Sequence, residues 1–194
     1  MTYKRKLKDI VALNEEIVSK INIPKTIRVT KMPARNKYSQ RAIVFIKGFT
    51  IDALEHCKRA GKRAVVLNFC NNTLPCGYYH HGSKAQEEDL CRIMPQLYQS
   101  LMRSKYPFNK QTTVLYSPNI KVMRNKKLNL VKNPYTVDII SASAPDLRTE
   151  LFYERKVKHI IKLLFTVPWT RNKELNTIVL GAWGCGVFQN NPKR

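Results

Sequence analysis

Arg63-Ala64-Val65-Val66-Leu67-Asn68 is the stretch whose reading decides the fold. A short, wholly apolar run rich in β-branched residues reads as a strand covered on both faces. Residues 69–83 then read as a loop, carrying Cys76-Gly77-Tyr78-Tyr79-His80-His81-Gly82. Ala85–Leu101 reads as a helix, bent or interrupted near Pro95. It opens on Gln86 and two adjacent carboxylates, Glu87 and Glu88. A second glycine-bearing loop, Leu180-Gly181-Ala182-Trp183-Gly184-Cys185-Gly186-Val187-Phe188, also follows an apolar strand. Glycine-bearing turns after strands are where α/β folds present backbone N–H groups to phosphate. Two such loops with one carboxylate pair point to a site for a phosphorylated sugar or nucleotide.

The rest of the chain alternates in the same way. Leu7, Ile10, Leu13, Ile17 and Ile21 recur at helical spacing, which predicts an amphipathic helix over 4–22, ended by Pro24. Thr26–Lys31 alternates like a strand, and residues 32–40 read as a loop with Pro33. Ala42–Lys47 reads as a second strand, broken by Gly48. Thr50 is a candidate cap for a helix to about Arg59, with Gly61 as its stop. Val114–Tyr116 and Ile120–Met123 read as strands around Ser117-Pro118, and Tyr135–Ser143 as another, stopped by Pro145. Thr149–Phe165 reads as a basic helix and Thr177–Ala182 as the last strand. The expected fold is α/β, a three-layer α/β/α sandwich with a mixed central sheet. Ligands in such folds sit outside the carboxyl ends of the central strands, where both loops fall.

At 194 residues, one domain with a sizeable core is expected, and 43% apolar content is that of a globular chain. No apolar stretch approaches the roughly 20 residues of a membrane span. The basic start, Met1-Thr2-Tyr3-Lys4-Arg5-Lys6, is followed by no apolar signal core, which argues against secretion. Cys57, Cys70, Cys76, Cys91 and Cys185 form no CxxC pair and no zinc spacing with the 4 histidines. Their odd, scattered count fits reduced thiols in cytoplasm or nucleus. The net charge of +22 favours a polyanionic partner such as nucleic acid; a lysine bias of the whole genome would produce the same number. The densest basic clusters are Lys4–Lys8, Lys121–Lys132 and Arg155–Lys162.

Four ordered segments resemble the macrodomain of bacterial-type poly(ADP-ribose) glycohydrolases. They are Asn68-Phe69-Cys70-Asn71 leading to Gln86-Glu87-Glu88-Asp89-Leu90-Cys91-Arg92, then Val114-Leu115-Tyr116-Ser117-Pro118-Asn119, then Tyr135 to Pro145, then Val179 to Phe188. The likeness covers about residues 40–192. It implies a single macrodomain-like unit over 1–194, with the helix and strand of 1–40 leading into it. The implied activity is removal of ADP-ribose by cleaving ribose–ribose O-glycosidic bonds. A glycosidic oxygen leaves poorly unless protonated, and attacking water must lose a proton; one carboxyl group can serve both steps. The resemblance assigns that role to Glu88 and makes Glu87 the residue that orients the ribose. Two adjacent carboxylates also raise each other's pKa. Asn68 and Asn71 would contact the distal ribose and hold the loop, and Gln86 would join them in binding the ligand. Pro75, Cys76, Gly77, Tyr78 and Tyr79 would line the ligand from the first loop. Gly184, Cys185, Gly186 and Val187 would wrap the diphosphate with backbone N–H groups, and Phe188 would pack on ribose or adenine. No metal and no cofactor is implied; the partners are ADP-ribose, its polymer and ADP-ribosylated macromolecules, with no membrane.

The chain departs from the family in two places. Three glycines normally precede the catalytic stretch, and Cys76-Gly77-Tyr78 keeps only the central one. His80 and His81 stand where the resemblance implies residues other than histidine, and read as solvated loop or, alternatively, as contacts to polymer phosphate. Family elements after residue 192 are expected to be absent, leaving one sheet face less covered. Brevity and lysine richness fit a compact viral version. Two other functions share these residues: a non-catalytic ADP-ribose-binding module, and a remover of ADP-ribose from nucleic acid.

Overall fold

A computed structural model describes residues 3–34 and 42–193. In chain order the elements are α1 (Tyr3–Val18), β1 (Ile27–Val29), α2 (Thr50–Arg59), β2 (Ala64–Phe69), a single 3-10 turn (Tyr79–His81), α3 (Gln86–Ile93), α4 (Pro95–Met102), β3 (Val114–Arg124), β4 (Leu130–Ala142), α5 (Glu154–Arg171) and β5 (Thr177–Val179). The five strands form one sheet in the order β1-β3-β4-β2-β5. β1, β3 and β4 run antiparallel to their neighbours, whereas β4, β2 and β5 are parallel. The sheet is therefore mixed, as expected.

β2 is buried throughout its apolar run because both of its faces are covered. Ala64 and Val66 join a core with residues of α2, α3 and α4, while Val65 and Leu67 join a second core with Ile160, Leu163, Leu164 and Val167 of α5. α1 lies outside α3 and α4 and adds Leu7, Ile10 and Val11 to the first side. The layers are thus helices, sheet, and α5 alone on the far face. No helix among the described residues is long and apolar enough to cross a membrane.

Several boundaries differ from the sequence reading, each for a local reason. Ala42–Lys47 is irregular and not a strand, with Ile43 and Phe45 81% and 93% exposed: the run is apolar but has no strand to pair with. Of the loop expected over 32–40, residues 35–40 lie outside the described residues. The cap of α2 is Phe49, not Thr50; the Asp52 carboxylate accepts the Phe49 N–H at 2.7 Å. Gly61, at φ 62, ends that helix as expected. Pro95 divides the long helix into α3 and α4, since proline is welcome at a first turn and unwelcome inside. The two short strands around Ser117-Pro118 are one strand, β3, with a bulge at which Asn119 takes φ 52 and donates its N–H to buried Asp138. α5 begins five residues later than expected because Asp146 and Glu150 close a separate turn ahead of it.

Candidate active site

The site stands at the carboxyl ends of β2, β4 and β5. The β2–β4 register sets Asn68 beside Ser141 and Phe69 beside Ala142. Asn68, fully buried, donates from Nδ2 to Ser141 Oγ (3.0 Å) and to Glu87 Oε1 (3.2 Å). The Asn71 N–H donates to Glu87 Oε2 at 2.8 Å. Both oxygens of Glu87 are thereby fixed. Asn71 also folds the loop on itself, its Oδ1 accepting the Thr73 and Leu74 N–H groups.

Burial pushes Glu87 up to about 8, with the charge of Glu88 adding to the rise. The N–H donors of Asn71 and Asn68 oppose this and are outweighed. Glu88 is 6% exposed. Its Oε1 accepts the Tyr78 N–H at 3.2 Å, and its Oε2 is buried and bonded to no protein group among the described residues. Gly77 sits where the two carboxyl groups meet. An added Cβ would lie 2.6 Å from Glu88 Oε1 and 3.9 Å from Glu87 Oε2. At φ 51 the residue is in the left-handed region, so glycine is required there twice over.

Gln86 faces the protein. Its Oε1 accepts the Phe69 N–H (2.9 Å) and its Nε2 donates to Leu67 O (2.8 Å), extending the end of β2 onto α3. Tyr79 is 2% exposed, its hydroxyl accepting from Asn14 and its ring packed on Tyr98. Cys76 is fully buried and joined by a disulfide to Cys91. The side chains of Gln86, Tyr79 and Cys76 are thus engaged with the protein itself. The structure corrects the expectation of five reduced thiols, since two of the five cysteines are paired. The compartment assignment based on five reduced thiols loses that ground. Cys57, Cys70 and Cys185 are free; burial and Glu87 hold the Cys70 thiol well above its ordinary range, which makes it inert. Pro75 is half-buried beside the site, and Tyr78 is 61% exposed, its ring 6.0 Å from that of His81. His80 and His81 are both exposed.

The second loop is tied to the first. Gly181 lies against Phe69, where a Cβ would come within 2.9 Å of the ring. Trp183 Nε1 donates to Ala142 O at 2.9 Å, anchoring the loop to the end of β4. Gly184, at φ 77, packs so closely that a Cβ would lie 2.6 Å from the Ala144 Cβ. Asn190 Nδ2 bridges Pro145 O (2.8 Å) and Gly184 O (3.1 Å). Gly186 is unlike these: nothing lies within 4 Å of a Cβ there. Cys185 is half-buried, Val187 is 65% exposed, and Phe188 is half-buried with the Arg148 guanidinium 5.9 Å from its ring.

Sequence reasoning missed several supporting residues. Fully buried Arg92 pairs with Asp89 at 3.1 Å and donates to the carbonyls of Tyr79 and Ser83. Asn14 of α1 donates to Tyr79 Oη (3.1 Å) and Arg92 O (3.0 Å), and buried Arg124 donates to Asn14 Oδ1 at 2.8 Å. A polar residue inside the apolar stripe of α1 was the available signal for Asn14.

The crystal structure of poly(ADP-ribose) glycohydrolase from Thermomonospora curvata is similar over 97% of this chain and 83% of its own, at 23% identity and a TM-score of 0.79. The same enzyme bound to the inhibitor ADP-HPD matches over the same shares at 22% identity and 0.70. The Deinococcus radiodurans enzyme in complex with ADP-ribose matches over 97% and 73% at 25% identity and 0.61. No curated protein sequence matches the chain. The family described as "microbial-type PARG, catalytic domain" matches residues 1–125, so the likeness begins at the N-terminal helix and not near residue 40. The chain belongs to this family of glycosidases, the microbial-type poly(ADP-ribose) glycohydrolase catalytic domains.

Proposed function

We propose that the chain hydrolyses ribose–ribose O-glycosidic bonds of poly(ADP-ribose), with Glu88 as general acid and base and residues 1–194 acting as one unit. The observation that carries this reading is the asymmetry of the carboxyl pair. Glu87 has both oxygens engaged by protein donors, while Glu88 has one oxygen held by the Tyr78 N–H and the other without a protein partner among the described residues. Glu87 is built to stay still and Glu88 to exchange a proton.

Glu88 gives its proton to the bridging oxygen as the anomeric carbon–oxygen bond breaks. The sugar becomes oxocarbenium-like, water adds to the anomeric carbon, and the Glu88 carboxylate takes the proton that water loses. With Glu87 raised to about 8, its own carboxyl group carries a proton at neutral pH. Glu87 orients the ribose by hydrogen bonding. The second loop receives the diphosphate on its backbone N–H groups around Gly184–Val187, and Phe188 packs against the adenosine side. ADP-ribose in the Deinococcus radiodurans structure supports this ligand class.

The test is release of free ADP-ribose from labelled polymer, with calorimetry for ADP-ribose binding. Binding without release would favour a non-catalytic module; the exposed Tyr78 in the catalytic loop is the observation on that side. The charge of +22 supports contact with nucleic acid as carrier of the modification. Salt-sensitive binding to plain DNA, uncompeted by ADP-ribose, would support that reading.

A further inference from the structure

Cys76 stands in a backbone conformation that glycine would adopt freely. Cys76 takes φ 56 and Gly77 takes φ 51, two successive left-handed residues. Left-handed backbone disfavours a residue with a Cβ, so something must hold Cys76 there. Its sulfur is bonded to Cys91, fully buried on α3. Cys91 follows Glu88 by three residues, so the two share a face of that helix. The bond therefore joins the residue before Gly77 to the helix turn that carries Glu88. Between these anchors lies the Tyr78 N–H to Glu88 Oε1 contact. At the other end of the same loop, Arg92 holds the Tyr79 and Ser83 carbonyls.

We propose that the Cys76–Cys91 disulfide is a positioning element of the hydrolytic site. It holds the Gly77–Tyr78 backbone against Glu88 by covalent constraint, where glycine at 76 would reach the same conformation freely. Reduction by a dithiol adds two electrons and two protons to the sulfurs, converts the reductant to its own disulfide, and frees residue 76 to leave the left-handed region. Glu88 then loses its backbone donor. The catalytic part of this inference rests on the proposed hydrolysis; the structural part does not.

The experiment compares wild type, C76A/C91A and C76G/C91A. Thermal melting establishes folding, amide hydrogen exchange at Tyr78 reports the loop, and steady-state kinetics on poly(ADP-ribose) separates kcat from KM. In C76A/C91A, Tyr78 loses protection and kcat falls roughly ten- to hundredfold, as expected for a misplaced catalytic group, with KM little changed. C76G/C91A recovers both protection and kcat relative to C76A/C91A, because glycine meets φ 56 without the bond. If C76A/C91A fails to fold, wild type incubated with dithiothreitol supplies the same readouts. Five alkylatable thiols in protein prepared without reductant would overturn the proposal. So would unchanged Tyr78 protection in the folded alanine variant, or an equal loss of protection in the glycine variant. If wild type releases no ADP-ribose, the hydrolase reading fails while Tyr78 exchange still decides whether the disulfide positions the loop.

Discussion

The space that a side chain on Gly77 would need is already taken by Glu88: an added Cβ would sit 2.6 Å from Oε1. Gly77→Ala must therefore move the carboxylate or the loop, in addition to straining a residue at φ 51. A Cβ in left-handed backbone costs about 1–2 kcal/mol, whereas displacing a catalytic group by an ångström can cost about a hundredfold in rate. The expected outcome is a folded protein with kcat on poly(ADP-ribose) lowered by roughly that factor. Melting and kinetics on the same preparation check it, and wild-type kcat would remove this contact from the mechanism.

Glu88→Gln keeps the size and the Oε1 acceptor for the Tyr78 N–H but offers no carboxyl proton. Loss of a general acid typically lowers the rate by about 10²–10⁴. ADP-ribose affinity, measured by calorimetry, is expected to stay near that of wild type. Turnover that survives the substitution would exclude Glu88 as the acid.

Glu87 ties stability to pH. Its folded value of about 8 lies above the ordinary 4.5, so between these values the folded chain binds more protons than the unfolded chain. Unfolding free energy contributed by this group is full below about pH 4.5, declines as pH rises, and levels off above about pH 8. The contribution is on the order of a few kcal/mol. Glu87→Gln abolishes the slope, so the melting temperature of the variant gains on wild type between mildly acid and mildly alkaline pH. Parallel pH–melting curves for the two proteins would contradict the buried, protonated Glu87.

The glycines of the second loop divide by what surrounds them. Gly186→Val enters open space, so the fold should be unharmed; the side chain instead obstructs the backbone, and ADP-ribose binding is expected to weaken at least about tenfold, or ~1.4 kcal/mol. Gly184→Ala places a Cβ against Ala144 at φ 77 and is expected to destabilise the protein by about 1–3 kcal/mol. Calorimetry and chemical denaturation of both variants distinguish these effects. Unchanged affinity in Gly186→Val would mean that the second loop does not cradle the ligand.

What could be read from the sequence followed from local rules. Pro95 marked the break between α3 and α4, Gly61 marked the end of α2, and the apolar run of β2 announced a strand buried on both faces. Ala42–Lys47 has strand composition yet lies exposed, because apolar composition says nothing about whether a neighbouring edge is available. β3 continues through Pro118 only because Asp138, on the neighbouring strand, accepts the Asn119 N–H and stabilises the bulge. At the site, the motif placed Glu87 and Glu88 together, and glycine spacing placed the loops. The orientation of Gln86 and Tyr79 depends on Leu67, Phe69 and Asn14, partners no local pattern names. The Cys76–Cys91 pairing likewise requires the loop and α3 to meet, a tertiary fact.

The β3–β4 hairpin turns at the end of the sheet opposite the carboxyl end of β4. Its tip is closed by Asn125, whose carbonyl accepts the Leu128 N–H at 2.8 Å, and Lys126 and Lys127 there are exposed. Chain inserted at that tip leaves the Asn68–Ser141 register untouched, whereas one residue added inside β2 would turn Asn68 to the α5 face. For anyone building a reporter or an affinity handle into this protein, Lys127 is the place to graft it, since Lys126 is tied to Asp52: the cargo would hang from the floor of the molecule while the carboxyl ends of β2 and β4 stay open.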